Sequence, residues 1–120
     1  MGRPCVTAVA ALVLAVLTGC APERVCSTIG WSNTVVVQLG PGWTDRDAAS
    51  VRVADVPVVP LTDGSADVWL DMSSPGTVEV TVLDAQGEVL AEREADLDWR
   101  RVGGTEECGG PGEATVVVDP

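Results

Sequence analysis

Apolar and polar residues alternate along much of this chain in short runs, separated by Gly, Pro, Asn and Asp, the pattern of strands joined by turns. In Thr77–Asp84, Val78, Val80 and Val82 are apolar with Glu79 and Thr81 between them, so one face meets a core and the other meets solvent. Comparable runs occupy Thr34–Leu39 and residues 51–54, 66–71 and 115–119. Asp84-Ala85-Gln86-Gly87 predicts a four-residue hairpin connection in which Gly87 takes a positive φ. Val56-Pro57-Val58-Val59-Pro60 is extended, but its two prolines donate no hydrogen bond, which confines it to an edge or a bend. The spacing of Thr44-Asp45-Arg46-Asp47 suits the cap of a single helical turn.

Residues 88–102 require a count, because Ala91, Glu92, Arg93, Glu94 and Ala95 are good helix formers. At odd positions 89 to 101, five of seven residues are apolar, and at even positions 90 to 102, five of seven are charged. That period of two predicts a long strand; at 100° per residue the apolar positions scatter around the helical wheel. Arg93 and Arg101, on the apolar side, predict that this face is only partly covered. Some seven short strands without amphipathic helices give an all-β expectation: an antiparallel two-sheet sandwich of immunoglobulin-like or related Greek-key topology.

The N-terminus has a different pattern. Arg3 precedes an apolar run from Cys5 to Leu17, too short to span a bilayer and suited to the core of an export signal. The run ends in Leu17-Thr18-Gly19-Cys20, which resembles the lipobox of bacterial lipoproteins at all four positions. That resemblance implies a diacylglyceryl group on the Cys20 thiol and cleavage before it. The chain then divides into a signal peptide at 1–19, a lipidated tether at 20–25 and a domain at 26–120. Two acyl chains hold a protein on a membrane stably where one is marginal, and the six steps from Cys20 to Cys26 reach about 20 Å when extended. An early Cys, the Gly30-Trp31-Ser32-Asn33 turn, a Val-rich strand and a late Cys before a last strand also resemble small lipoproteins of high-GC Gram-positive bacteria, the actinobacteria. Those proteins are mostly uncharacterised, so the likeness implies a compartment and a fold rather than an activity.

With Cys5 in the signal and Cys20 lipidated, Cys26 and Cys108 remain. An oxidising compartment predicts one disulfide between them; two free thiols or a metal pair compete, without any His or CxxC to support them. Thr34-Val35-Val36-Val37 begins eight residues after Cys26, and Thr115-Val116-Val117-Val118 begins seven after Cys108. Bonded cysteines therefore predict first and last strands that run parallel side by side.

Eighteen Asp and Glu stand against seven Arg, with no Lys or His, for a net charge of −11 that becomes −12 when Arg3 leaves with the signal. Such a chain lacks the basic face that nucleic acid requires. It also lacks the imidazole and amine on which most general-base, Schiff-base and metal chemistry depends. Its serines have no such partner, and eighteen carboxylates make any glycosidase-like pair uninformative. Glu92, Glu94, Asp96 and Asp98 alternate along one strand face, but successive carboxylates there lie about 7 Å apart, too far for one cation to gather, so they read as a solvated face. Asp45-Arg46-Asp47-Ala48-Ala49 opens like a calcium loop and then lacks its Gly and closing Glu. No metal or cofactor is therefore expected.

Four Trp carry all the aromatic surface, since Phe and Tyr are absent. Trp31 and Trp43, beside glycines in expected loops, read as a contact surface. Trp69 alternates with Asp67 and Asp71, opposite Val68 and Leu70, and joins them as a candidate; its other reading, shared with Trp99, is cover for a core short of large side chains. The expected function is thus a non-enzymatic, membrane-anchored, extracytoplasmic domain binding an envelope protein or a cell-wall glycan. A structural subunit of a larger envelope assembly is the alternative and a small hydrolase the weakest reading.

Overall fold

A computed structural model describes residues 25–26, 28–43 and 47–120. The expected export signal, Cys20, most of the expected tether and residues 44–46 of the expected helical turn lie outside the described residues.

Eight strands follow in order: β1 (Thr34–Leu39), β2 (Ala48–Val53), β3 (Val59–Pro60), β4 (Ser65–Trp69), β5 (Thr77–Asp84), β6 (Val89–Asp96), β7 (Arg100–Arg101) and β8 (Gly112–Val118). They form two four-stranded sheets, ordered β4-β1-β8-β7 and β3-β2-β5-β6, packed as a sandwich. The all-β sandwich expectation holds, with eight strands where about seven were expected. β1 and β8 pair in parallel, Thr34 opposite Glu113 through Leu39 opposite Val118, while the other paired strands are antiparallel. The Cys26–Cys108 disulfide brings the chain leading into both strands to one point, with the two Cα atoms 5.3 Å apart.

The core is built from valine. Val35, Val37, Val51, Val53, Val68, Val80, Val82 and Val118 are all fully buried, supplied by the inward positions of five strands. β-branched side chains suit this pleated, close-packed surface, and each contributes about 1.5–3 kcal/mol by leaving water.

The β5–β6 connection is built as its sequence predicts. Gly87 has φ 80°, its N–H donates to the Asp84 carbonyl at 3.1 Å, and the Asp84 carboxylate accepts the N–H groups of Gln86 and Glu88, each at 2.9 Å. β3 lies at a sheet edge, as Pro60 requires.

The expected single strand over residues 89–101 is instead two strands in different sheets. Asp96 pairs with Thr77, the first residue of β5, so beyond it β6 has no partner in its own sheet. The Leu97 N–H still donates to Gly76 and the Trp99 indole to Pro75, at 2.8 Å each, and the chain then crosses to pair as β7 with β8. Leu97 and Trp99 remain partly buried against the core through this crossing, which is why the alternation continues where the strand does not. Arg93 and Arg101 are exposed on the apolar side of the pattern. A register shift between Val82 and Leu83 also turns Val89 outward, leaving it 52% exposed.

Candidate functional site

The four tryptophans separate. Trp43 is 5% exposed and donates its indole N–H to the Val118 carbonyl at 2.7 Å, so it closes one end of the core and is not a contact residue. Pro41 starts a 3-10 turn over Pro41–Trp43 in which the ring lies inward, and Gly42 admits the distant Pro120, which would lie 2.9 Å from a Cβ there. Trp31 and Trp43 flank β1, whose six residues set them about 20 Å apart, so they form no common surface.

Trp31 is half-buried against the loop that carries the disulfide, where a Cβ on Gly109 would lie 3.2 Å from its ring. With Val25, Ile29 and Pro111 it lines an apolar depression of about 470 Å³ around Cys26 and Cys108. Trp99 is half-buried through the bond to Pro75. Trp69 alone among the four is open to solvent, at 72% exposure, on the outer face of the first sheet. It covers no core.

The sheet registers place Trp69 in a cross-strand row with Thr34, Glu113 and Arg100. The next row is Asp67, Val36 and Thr115, and the third is Ser65, Gln38 and Val117. This outer face thus carries two carboxylates, Asp67 and Glu113, and one guanidinium, Arg100, around the uncharged β1 positions Thr34, Val36 and Gln38, with Trp69 at one margin. At the other margin a depression of about 410 Å³ is lined by Asp98, Arg100, Val102, Glu113 and Thr115. The outer face of the second sheet differs in kind. Its rows are Arg52, Thr81 and Glu92; Glu79 and Glu94; Thr77 and Asp96, so four carboxylates stand against one guanidinium. Glu92, Glu94 and Asp96 share that face, but Asp98 lies beyond the sheet crossing and lines the depression on the first sheet. Among the described residues no group of His, Cys, Asp or Glu is placed to hold a metal ion.

Asn33 organises the disulfide end of the domain. Its amide donates to the carbonyls of Met72 and Ser73 at 3.2 and 2.8 Å, and its carbonyl accepts the Gly112 N–H at 2.8 Å. Beside it, Asp71 accepts the Ser73 N–H at 2.8 Å, and the Ser73 hydroxyl followed by that N–H holds the Asp71 carboxyl below the usual carboxylate range. In the sequence Asn33 is one residue of the Gly30-Trp31-Ser32-Asn33 turn. Only its position one residue before a strand hinted at more.

No family model matches the chain, and comparison with curated proteins and with solved structures gives no match either. Its functional reading therefore rests on its own residues.

Proposed function

We propose that this chain is a lipid-anchored, extracytoplasmic envelope protein that works without catalysis and binds another envelope protein through the outer face of the β4-β1-β8-β7 sheet. The observation that carries this reading is Trp69: a large aromatic, mostly exposed, at the margin of a face with fewer charges than the other outer sheet face, which is acidic. Exposed Trp is costly to leave in water and is enriched among residues that dominate binding energy.

The lipobox-like Leu17-Thr18-Gly19-Cys20 supports the anchor. A tether entering at Cys26 reaches the domain at the end where Val25, Ile29 and Trp31 cluster, and the Trp69 row, which includes Thr34 at the start of β1, is the row nearest that end. The partner is then engaged close to the bilayer.

Cross-linking in the native membrane, with mass spectrometry of the products, tests the reading. One protein recovered repeatedly, lost with Trp69→Ala and retained with Trp31→Ala, is the expected result. Bulk envelope proteins seen equally with an unrelated lipidated control, or cell-wall glycan as the product, overturns it. For the anchor, the protein partitions into the detergent phase, and Cys20→Ala moves it to the aqueous phase.

A further inference from the structure

The sandwich has four edge strands, and three of them are closed to pairing. β3 is two residues long and contains Pro60, and β7 is two residues long. β6 is eight residues long but carries Glu92, Arg93, Glu94 and Asp96. Short strands, prolines and charges are the means by which edges are kept from pairing with other chains. β4 has none of them beyond Asp67: it is five residues long, Ser65-Ala66-Asp67-Val68-Trp69, and ends on the exposed Trp.

The hydrogen bonds between β1 and β4 show which backbone groups face outward. Leu39 N–H donates to the Gly64 carbonyl and Leu70 N–H to the Asn33 carbonyl, so the register positions 39 with 64 and 33 with 70 are hydrogen-bonded pairs. Antiparallel pairing alternates, which makes Val37 with Ala66 and Val35 with Val68 bonded pairs as well. The backbone N–H and C=O of Asp67 and Trp69 therefore point away from β1, toward open space. Ser65 is already used, since its N–H and C=O close the Thr62–Ser65 turn. Beside this edge runs a depression of about 280 Å³ lined by Pro60, Thr62, Ser65, Ala66 and Asp67.

We infer that the open edge of β4 takes up an extended, basic segment of the partner protein as an added strand, with a Lys or Arg opposite Asp67 and an apolar residue against Trp69. Strand addition draws affinity from the outward main-chain groups and specificity from the alternate side chains. A second copy of this chain is the wrong occupant. An antiparallel pairing of β4 with itself, centred on Asp67, would set two carboxylates directly opposite each other on chains of net charge −11. The single charge on the edge instead selects a cationic partner segment. This inference rests on the proposed function and specifies how that face engages its partner.

The test uses the full-length protein in its native membrane, with a photoreactive phenylalanine analogue in place of Ser65. The expected product is a cross-link to a segment of another protein that contains Lys or Arg in alternation with apolar residues. Asp67→Pro removes an outward N–H without touching the β1 ladder, and Asp67→Lys keeps that N–H while reversing the charge. Each lowers the cross-link yield by about tenfold or more, roughly what 1.4 kcal/mol of binding energy represents. Asp67→Lys also serves where Asp67→Pro disturbs folding. No cross-link from position 65, a cross-link to a second copy of this chain, or a yield unchanged by both variants overturns strand addition. If the yield survives both Asp67 variants but falls with Trp69→Ala, the face reading stands and the edge does not.

Discussion

The side-chain carbonyl of Asn33 accepts the backbone N–H of Gly112, 79 residues away, at 2.8 Å. That one bond joins the entrance of β1 to the entrance of β8, and the same side chain holds the chain leaving β4 through Met72 and Ser73. Gly112 suits the position because a Cβ there would lie 3.3 Å from both the Asn33 oxygen and the Trp99 ring.

Asn33 is 4% exposed and its three bonds, to Met72, Ser73 and Gly112, are partly buried, so its removal costs all three and leaves a cavity at this end of the domain. Asn33→Ala should lower stability by about 2–4 kcal/mol, since each unpaired buried group costs about 1–3 kcal/mol. Asn33→Asp should be at least as damaging despite its equal size, because a carboxylate cannot donate to the Met72 and Ser73 carbonyls. Urea midpoints of the two variants check this, and a benign Asn33→Asp would contradict the bonding described.

Trp43 is the aromatic plug of a valine core. Trp43→Ala should cost about 3–5 kcal/mol, the usual range for deleting a buried aromatic. Trp43→Phe should cost less, because the Val118 carbonyl keeps the Gly40 N–H at 2.9 Å after the indole bond is lost. Neither variant should alter cross-linking to a partner under conditions where the fold persists, in contrast to Trp69→Ala.

The disulfide closes a loop with a sequence separation of 82. By the entropy that such a loop removes from the unfolded chain, replacing both cysteines with Ser should lower stability by about 4–5 kcal/mol. Unfolding midpoints with and without reductant measure it. Reduction should leave the Cys26→Ser/Cys108→Ser variant unaffected.

Glu79 and Glu94 stand directly opposite each other on β5 and β6. Like charges in this relation destabilise a sheet, so Glu94→Arg should stabilise the domain by about 0.2–1 kcal/mol. The gain should shrink as salt rises, because exposed charges are screened over about 8–10 Å at physiological ionic strength. Thermal unfolding at low and high salt reads both effects.

The two strands with the cleanest alternation, β1 and β5, have the bounds that the pattern predicts, Thr34–Leu39 and Thr77–Asp84. The β5–β6 turn was equally legible, because Asp84 and Gly87 act within four residues of each other. Where a strand ends was less legible. The period of two continues from Ala95 to Trp99, yet β6 stops at Asp96, because pairing depends on the length of β5 as well as on the sequence of β6.

The sequence by itself determined the all-β class, the sidedness of its strands, the pairing of Cys26 with Cys108 and, through the near-equal spacing after each cysteine, the parallel run of first and last strands. These follow from local periodicity and from the placement of Cys26 and Cys108 at similar distances ahead of two Val-rich strands. Tertiary structure alone decided which tryptophan is buried and which is exposed. Trp43 faces inward because Val118, 75 residues later, presents a carbonyl to it, whereas Trp69 faces outward by the alternation that buries Ala66 and Val68, and stays exposed because no layer covers that face. A tryptophan beside glycine, or one in an alternating strand, fits either outcome locally. What settles it is which parts of the fold come to cover the ring, and that depends on contacts between residues far apart in the chain.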